Sequence, residues 1–163
     1  MADKTKILFV CLGNIVRSPL AENIFRQLAD EANLGYKYQV DSAGTGAWHV
    51  GEAPDSRMVR VAAQHGMQYT GRARQIARDD LEKFDLLVVM DRDNRAVLYN
   101  MMRGIKQQSK IHMLREFDPQ AKIDAEVPDP YYGGSEGFER VYQIVRRSCE
   151  GLLNSLENGN LTL

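Results

Sequence analysis

Cysteine is scarce in this chain of 163 residues: only Cys11 and Cys149 occur. Two thiols so far apart make no disulfide framework and no zinc signature. His49, His65 and His112 have no ligand spacing among themselves, so neither a metal nor any other cofactor is expected. No apolar run nears the roughly 20 residues of a membrane span. The opening Met1-Ala2-Asp3-Lys4-Thr5-Lys6 has none of the marks of a signal peptide. An excess of either charge is missing too: the formal net charge of −1 gives no general reason to expect nucleic acid or an anionic membrane as partner. The expectation is one domain over 1–163, monomeric, without membrane insertion, in a reducing cytoplasmic setting.

What is present is 44% apolar residue content, enough for a buried core, arranged in an alternating pattern. Ile7-Leu8-Phe9-Val10 is a continuous apolar run, as expected of a strand covered on both faces. After Pro19, Leu20, Ile24, Phe25 and Leu28 recur at helical spacing. Further strands are predicted at 38–42, 85–90 and 110–114. Helices are predicted from Asp55 or Ser56 to Gln64, over 79–83, around Ala96 to Met101, and from about Glu136 onward. Cys149 falls on the apolar stripe of the last helix and reads as a core thiol. Strand and helix alternate four times, which predicts an α/β fold: a parallel sheet with helices on both faces. In such sheets ligands gather beyond the carboxyl ends of the strands.

The first of those ends carries the densest chemistry: Val10-Cys11-Leu12-Gly13-Asn14-Ile15-Val16-Arg17-Ser18-Pro19. Five residues between Cys11 and Arg17 suffice for a backbone loop to curl around one tetrahedral anion, with inward N–H groups and a helix N-terminus below. Ser18 is expected to cap the helix and Pro19 to take its first position. A cysteine there, beside a guanidinium, a hydroxyl and the helix dipole, is favoured as thiolate. The competing reading is core packing with an arginine six residues on by chance. Asn14 suits the left-handed backbone of a tight anion loop.

A nucleophile attacking a phosphate ester needs a partner that protonates the leaving oxygen and later takes a proton from water. Asp129, in Val127-Pro128-Asp129-Pro130-Tyr131-Tyr132, is the candidate. Two prolines stiffen its loop, and the tyrosines are expected to wall it in. An ordinary Asp-Pro turn is the alternative. The long irregular stretch 115–135 that holds it is of a length more often functional than structureless.

The Cys11 loop closely resembles the active-site loop of the low-molecular-weight protein tyrosine phosphatases. So does Asp129-Pro130-Tyr131 their late Asp-Pro-Tyr, and Asp41-Ser42-Ala43-Gly44 and Ala73-Arg74-Gln75-Ile76 also fit. The resemblance spans about residues 7–157. It implies the three-layer phosphotyrosine phosphatase I-like fold, with four strands in the order 2-1-3-4. It implies hydrolysis of phosphotyrosine in proteins or peptides through a phosphocysteine, with inorganic phosphate as product and inhibitor. Cys11 is then nucleophile, Arg17 the phosphate-binding guanidinium and Asp129 the general acid and base. Leu12, Gly13, Asn14, Ile15, Val16 and Ser18 form the cradle. Ser42 buttresses Asn14 and Asp91 orients Arg17. Trp48, Tyr131 and Tyr132 line the substrate entrance. The alternative for Trp48 is a surface aromatic, and for Asp91 a strand-end cap.

Two departures stand out. Val16 replaces a cysteine that most members carry beside the arginine, so an oxidised Cys11 lacks that resolving thiol. Gly71 stands where relatives often have a histidine. Two alternatives share the fold. An arsenate reductase needs further cysteines, and the region 75–93 has none. A protein arginine phosphatase has Thr where Ile15 stands, whereas Ile15 with Trp48 and the tyrosines favours a flat aromatic group. The basic residues Arg72, Arg74 and Arg78 read as a solvated face.

Overall fold

The computed structural model describes residues 3–131, 133–161 and 163. Four strands, β1 (Thr5–Cys11), β2 (Tyr38–Gly44), β3 (Leu86–Val89) and β4 (Ile111–Met113), form a parallel sheet in the order β2-β1-β3-β4. The order and the parallel pairing are those expected. β1 lies between β2 and β3, with Cys11 opposite Gly44 and Val10 opposite Val89. The strand order reverses on either side of β1, so the turn leaving it opens at the switch point of the sheet.

The described residues form six helices, α1 (Arg17–Glu31), α2 (Ser56–Gln64), α3 (Arg78–Lys83), α4 (Arg92–Met101), α5 (Ile105–Gln108) and α6 (Ser135–Glu157), and all but the exposed α5 bury side chains in the two cores. The reason for the unbroken apolar run in β1 is visible in its two faces. Ile7, Phe9 and Cys11 join one core with α1, α2 and α6, while Leu8 and Val10 join a second with α3 and α4. β3 divides the same way, Leu86 and Val88 on one side and Leu87 and Val89 on the other. Burying each such side chain contributes about 1.5–3 kcal/mol. Cys149 is fully buried on α6 against α1, its thiol aimed at the Ala21 carbonyl 3.7 Å away. Burial pushes that thiol far above the ordinary range.

α1 begins differently from the prediction. Its first helical residue is Arg17, Val16 flanks it, and no side chain caps it. Ser18 is therefore already inside the helix, and Pro19 sits third, still in the first turn where no N–H partner is lost. The physical reason is that the Ser18 hydroxyl is committed elsewhere, to the Cys11 sulfur and to Asn14. α5 was not predicted, and neither was the short 3-10 turn Leu114–Phe117 that closes β4.

Candidate active site

Beyond the carboxyl end of β1 the chain turns through residues 12–16 into α1. Asn14 makes the turn possible by taking φ 57°, a conformation most side chains avoid. Its own side chain then ties the loop down. Nδ2 donates to Ser18 Oγ at 2.8 Å and to Ser42 Oγ at 3.0 Å, and Oδ1 accepts the Arg74 backbone N–H at 2.9 Å. Ser42 in turn donates to Glu22 Oε1 at 2.6 Å. Neighbouring segments take the loop carbonyls. Thr45 donates to Cys11, Gly46 to Leu12 and Asp55 to Ile15, at 2.8, 2.9 and 2.8 Å. The N–H groups of Gly13, Ile15 and Val16 have no partner among the described residues, so they are available to an anion.

Gly44 allows this close approach. A Cβ there would stand 2.7 Å from the Leu12 carbonyl oxygen and 3.2 Å from the Asn14 nitrogen.

Cys11 Sγ lies at the floor of the turn. It accepts the Asn14 N–H at 3.3 Å and is 3.0 Å from Ser18 Oγ. Ser18 Oγ accepts from Asn14 and lies 3.5 Å from the Ala43 carbonyl, so that carbonyl and the sulfur are the two acceptors its hydroxyl proton can face. Arg17 is 3% exposed, and its Nη1 donates to Asp91 Oδ2 at 2.7 Å and to the Val127 carbonyl at 3.1 Å. Burial opposes the guanidinium charge. Cys11, Asp91 and Asp129 outweigh it, and the group holds its proton more tightly than usual. Asp91 makes two contacts: Oδ1 caps α4 by accepting the Asn94 N–H at 2.7 Å, while Oδ2 meets Arg17 Nη1.

Asp129 sits at the rim. Oδ1 accepts the Tyr131 N–H at 3.0 Å, and Oδ2 is 3.6 Å from Arg17 Nη2. Its side chain is 45% exposed, and of the two tyrosines expected to wall it in only Tyr131 falls among the described residues. Tyr131 lines the cleft, and Tyr132 lies outside the described residues.

A cleft of about 420 Å³ unites these parts. Cys11, Leu12, Gly13, Ile15, Val16 and Arg17 form its floor, and Trp48, Asp129 and Tyr131 its sides. Asn14, Ser18, Ser42 and Asp91 stand behind the floor as supports. Trp48 is 73% exposed with its ring over Gly46, where a Cβ would fall 1.8 Å from a ring carbon.

Three contributors escaped the sequence reading. His49 lines the cleft, with Nδ1 2.9 Å from Glu52 Oε2 and its ring packed on Gly13. Its position beside Trp48 was the available signal. Glu22 anchors Ser42. Arg74 is no solvated face: its guanidinium bridges Asp41 and Asp80 and so fixes the backbone that holds Asn14. Arg72 and Arg78 instead donate to the carbonyls of Gly51 and Met101. Among the described residues no group of three or more His, Cys, Asp or Glu side chains is placed to hold a metal ion.

Residues 6–160 match the family described as low molecular weight phosphotyrosine protein phosphatase. The chain is 43% identical over 152 residues to the low molecular weight protein-tyrosine-phosphatase YfkJ of Bacillus subtilis, covering 93% of this chain and 95% of that one. A protein tyrosine phosphatase crystal structure from Entamoeba histolytica superposes with a TM-score of 0.92 at 41% identity, covering 97% of this chain and 100% of its own. An arginine phosphatase from Drosophila superposes at 0.86 with 35% identity, covering 94% and 98%.

Proposed function

Because the chain belongs to the low-molecular-weight phosphotyrosine protein phosphatase family, we propose that it removes phosphate from tyrosine-phosphorylated proteins or peptides through a phosphocysteine on Cys11. The observation that supports this reading is the meeting of Cys11 and Arg17, from the two ends of one loop, with Asp129, from a distant one, in one cleft. In the first step Cys11 Sγ attacks phosphorus, an S–P bond forms and the bond to the phenolic oxygen breaks. Asp129 gives that oxygen its proton. In the second step Asp129 takes a proton from water, the water oxygen bonds to phosphorus and the S–P bond breaks. The thiolate is restored and inorganic phosphate leaves, free to rebind as an inhibitor. Arg17 and the loop amides of the cradle stabilise the equatorial oxygens, donors already aimed before the reaction begins.

Trp48 and Tyr131 line the cleft with apolar faces on which a flat ring could rest. Ile15 has no hydroxyl with which to meet a phosphoguanidinium group, which sets this cleft apart from the arginine-directed alternative. Cys149, buried and held protonated, cannot carry electrons from Cys11 as an arsenate reductase requires. No helix among the described residues is long and apolar enough to cross a membrane. The cleft is complete within one chain, and we infer action as a monomer in the cytoplasm, where a thiolate survives.

Hydrolysis of matched phosphotyrosine, phosphoserine and phosphoarginine peptides tests the reading. The wild type should favour phosphotyrosine, and Cys11→Ser should lose about 10⁴-fold or more in kcat. Phosphate on Cys11 should be found in acid-quenched enzyme by mass spectrometry. Full activity in Cys11→Ser, or a preference for phosphoarginine, would reject it.

A further inference from the structure

The segment that carries Asp129 is poor in means of holding itself. Pro128 and Pro130 flank the acid and supply no N–H, so the loop depends on outside donors to fix it. Two guanidinium groups supply them. Arg17 donates to the carbonyl of Val127 at 3.1 Å, and Arg57 donates through Nη1 to the carbonyl of Tyr131 at 2.9 Å. Asp129 lies midway between the two gripped carbonyls. The N–H of Tyr131, the residue that Arg57 holds, is the donor that fixes Asp129 Oδ1 at 3.0 Å.

Arg57 is itself held from three sides. Its Nε and Nη2 donate to Asp55 Oδ1 and Oδ2 at 3.1 and 2.9 Å, and its Cζ lies 4.7 Å from the centre of the Phe138 ring and 5.1 Å from that of Tyr131. Asp55 foremost keeps the guanidinium proton more tightly bound than usual. Asp55 in turn donates its backbone N–H to the Ile15 carbonyl of the cradle at 2.8 Å. A continuous path therefore runs from the cradle through Asp55 and Arg57 to Tyr131 and the acid.

We propose that Arg57 is a positioning residue for catalysis: with Arg17 it clamps the 127–131 segment on both sides and sets the Asp129 carboxyl over the leaving oxygen. Arg57 touches neither the phosphate nor the ring of the substrate in this role. The proposal rests on the assignment of Asp129 as the general acid, and it predicts an effect confined to steps that need that acid.

The test measures kcat/KM for 4-nitrophenyl phosphate and phenyl phosphate, a good and a poor leaving group. The enzymes are wild type, Arg57→Ala, Arg57→Lys, Asp129→Asn and Arg57→Ala/Asp129→Asn. Arg57→Ala should lose about 10–30-fold on phenyl phosphate and about 3-fold or less on 4-nitrophenyl phosphate. In the Asp129→Asn background the same change should cost about 2-fold or less on either substrate. Arg57→Lys should recover part of the loss, and inhibition of the Arg57 single variants by inorganic phosphate should stay within about 2-fold of wild type, since the cradle and Asp129 are untouched in them. An equal loss on both substrates, or an undiminished loss beside Asp129→Asn, would overturn the proposal and make Arg57 merely structural. Should Arg57→Ala fail to fold, Arg57→Gln, which keeps one donor and the packing stem, is read by the same criteria. If Asp129→Asn alone shows no leaving-group dependence, the acid assignment itself fails, an outcome distinct from the failure of the clamp.

Discussion

The cradle around Cys11 and the loop around Asp129 face each other across one cleft but are built on opposite plans. In the cradle, Asn14 and Ser18 are buried and each has several partners, and Arg17 is buried with its charge matched by Asp91. The loop carries its acid half exposed on a proline-flanked segment, fixed by a few contacts to α2, to Met90 just past β3 and to Arg17. The difference follows the chemistry. The same three phosphoryl oxygens stay on phosphorus from substrate to product, so their donors gain by being fixed in advance. A leaving oxygen departs with whatever group bears it, and the acid must meet substrates of different bulk from an open edge.

That contrast can be strained from either side. The largest effect is expected in the cradle. Asp91→Asn keeps an oxygen for the α4 cap but takes the carboxylate from Arg17, and kcat/KM should fall by about 10²-fold while inhibition by phosphate weakens. Steady-state kinetics on an aryl phosphate checks this. A loss of about 2-fold or less would mean that the loop holds Arg17 without help, contrary to the rigid plan described.

A second test acts where the acid-bearing stretch is anchored. Asp118 is fully buried at its side chain and accepts from Arg115 Nε at 3.0 Å and from Arg147 Nε at 2.7 Å. Arg115 also donates to the Glu126 carbonyl at 3.1 Å, so the clamp reaches the base of the loop. Burial by itself would raise the Asp118 pKa, but Arg147, the Gln120 N–H and Arg115 together bring it below the ordinary value. A carboxyl depressed in the folded state contributes stability above its unfolded pKa of about 4 and loses it as pH falls toward the folded value. Asp118→Asn should therefore cost about 2–4 kcal/mol at neutral pH and flatten the acid side of the stability curve, as read by urea unfolding at several pH values. An unchanged acid slope would remove Asp118 from that account.

The smallest effect is expected at the rim. Trp48→Ala should raise KM for aryl phosphates by about 3–10-fold and leave kcat near wild type, because the ring offers area to the bound substrate and nothing to the reacting atoms. An unchanged KM would make Trp48 the surface aromatic of the competing reading.

The parts of the site that were legible in the chain are those whose geometry is local. Cys11 to Arg17 form one strand–turn–helix, and the turn dictates which groups point at an anion. Asp129 between prolines was legible as a stiff loop with an acid. The Ser42 and Asp91 supports came through the family resemblance. Their contacts with Asn14 and Arg17 join residues 28 and 74 positions apart. Where the reading failed, a local rule met a stronger tertiary demand. Ser18 is a good N-cap by type, yet its hydroxyl serves the sulfur. Arg74 belongs to a basic cluster by sequence, yet two carboxylates from distant segments claim it.

By itself the sequence determined the alternation of strands and helices, the double-sided burial of β1 and the reactive loop at its end. Each follows from side-chain period and backbone preference over a few residues. Only the tertiary structure decided how exposed the acid is and which guanidinium groups hold its loop. It alone placed His49 on the cleft wall. Those outcomes depend on contacts between segments tens of residues apart, whose distances no local pattern encodes.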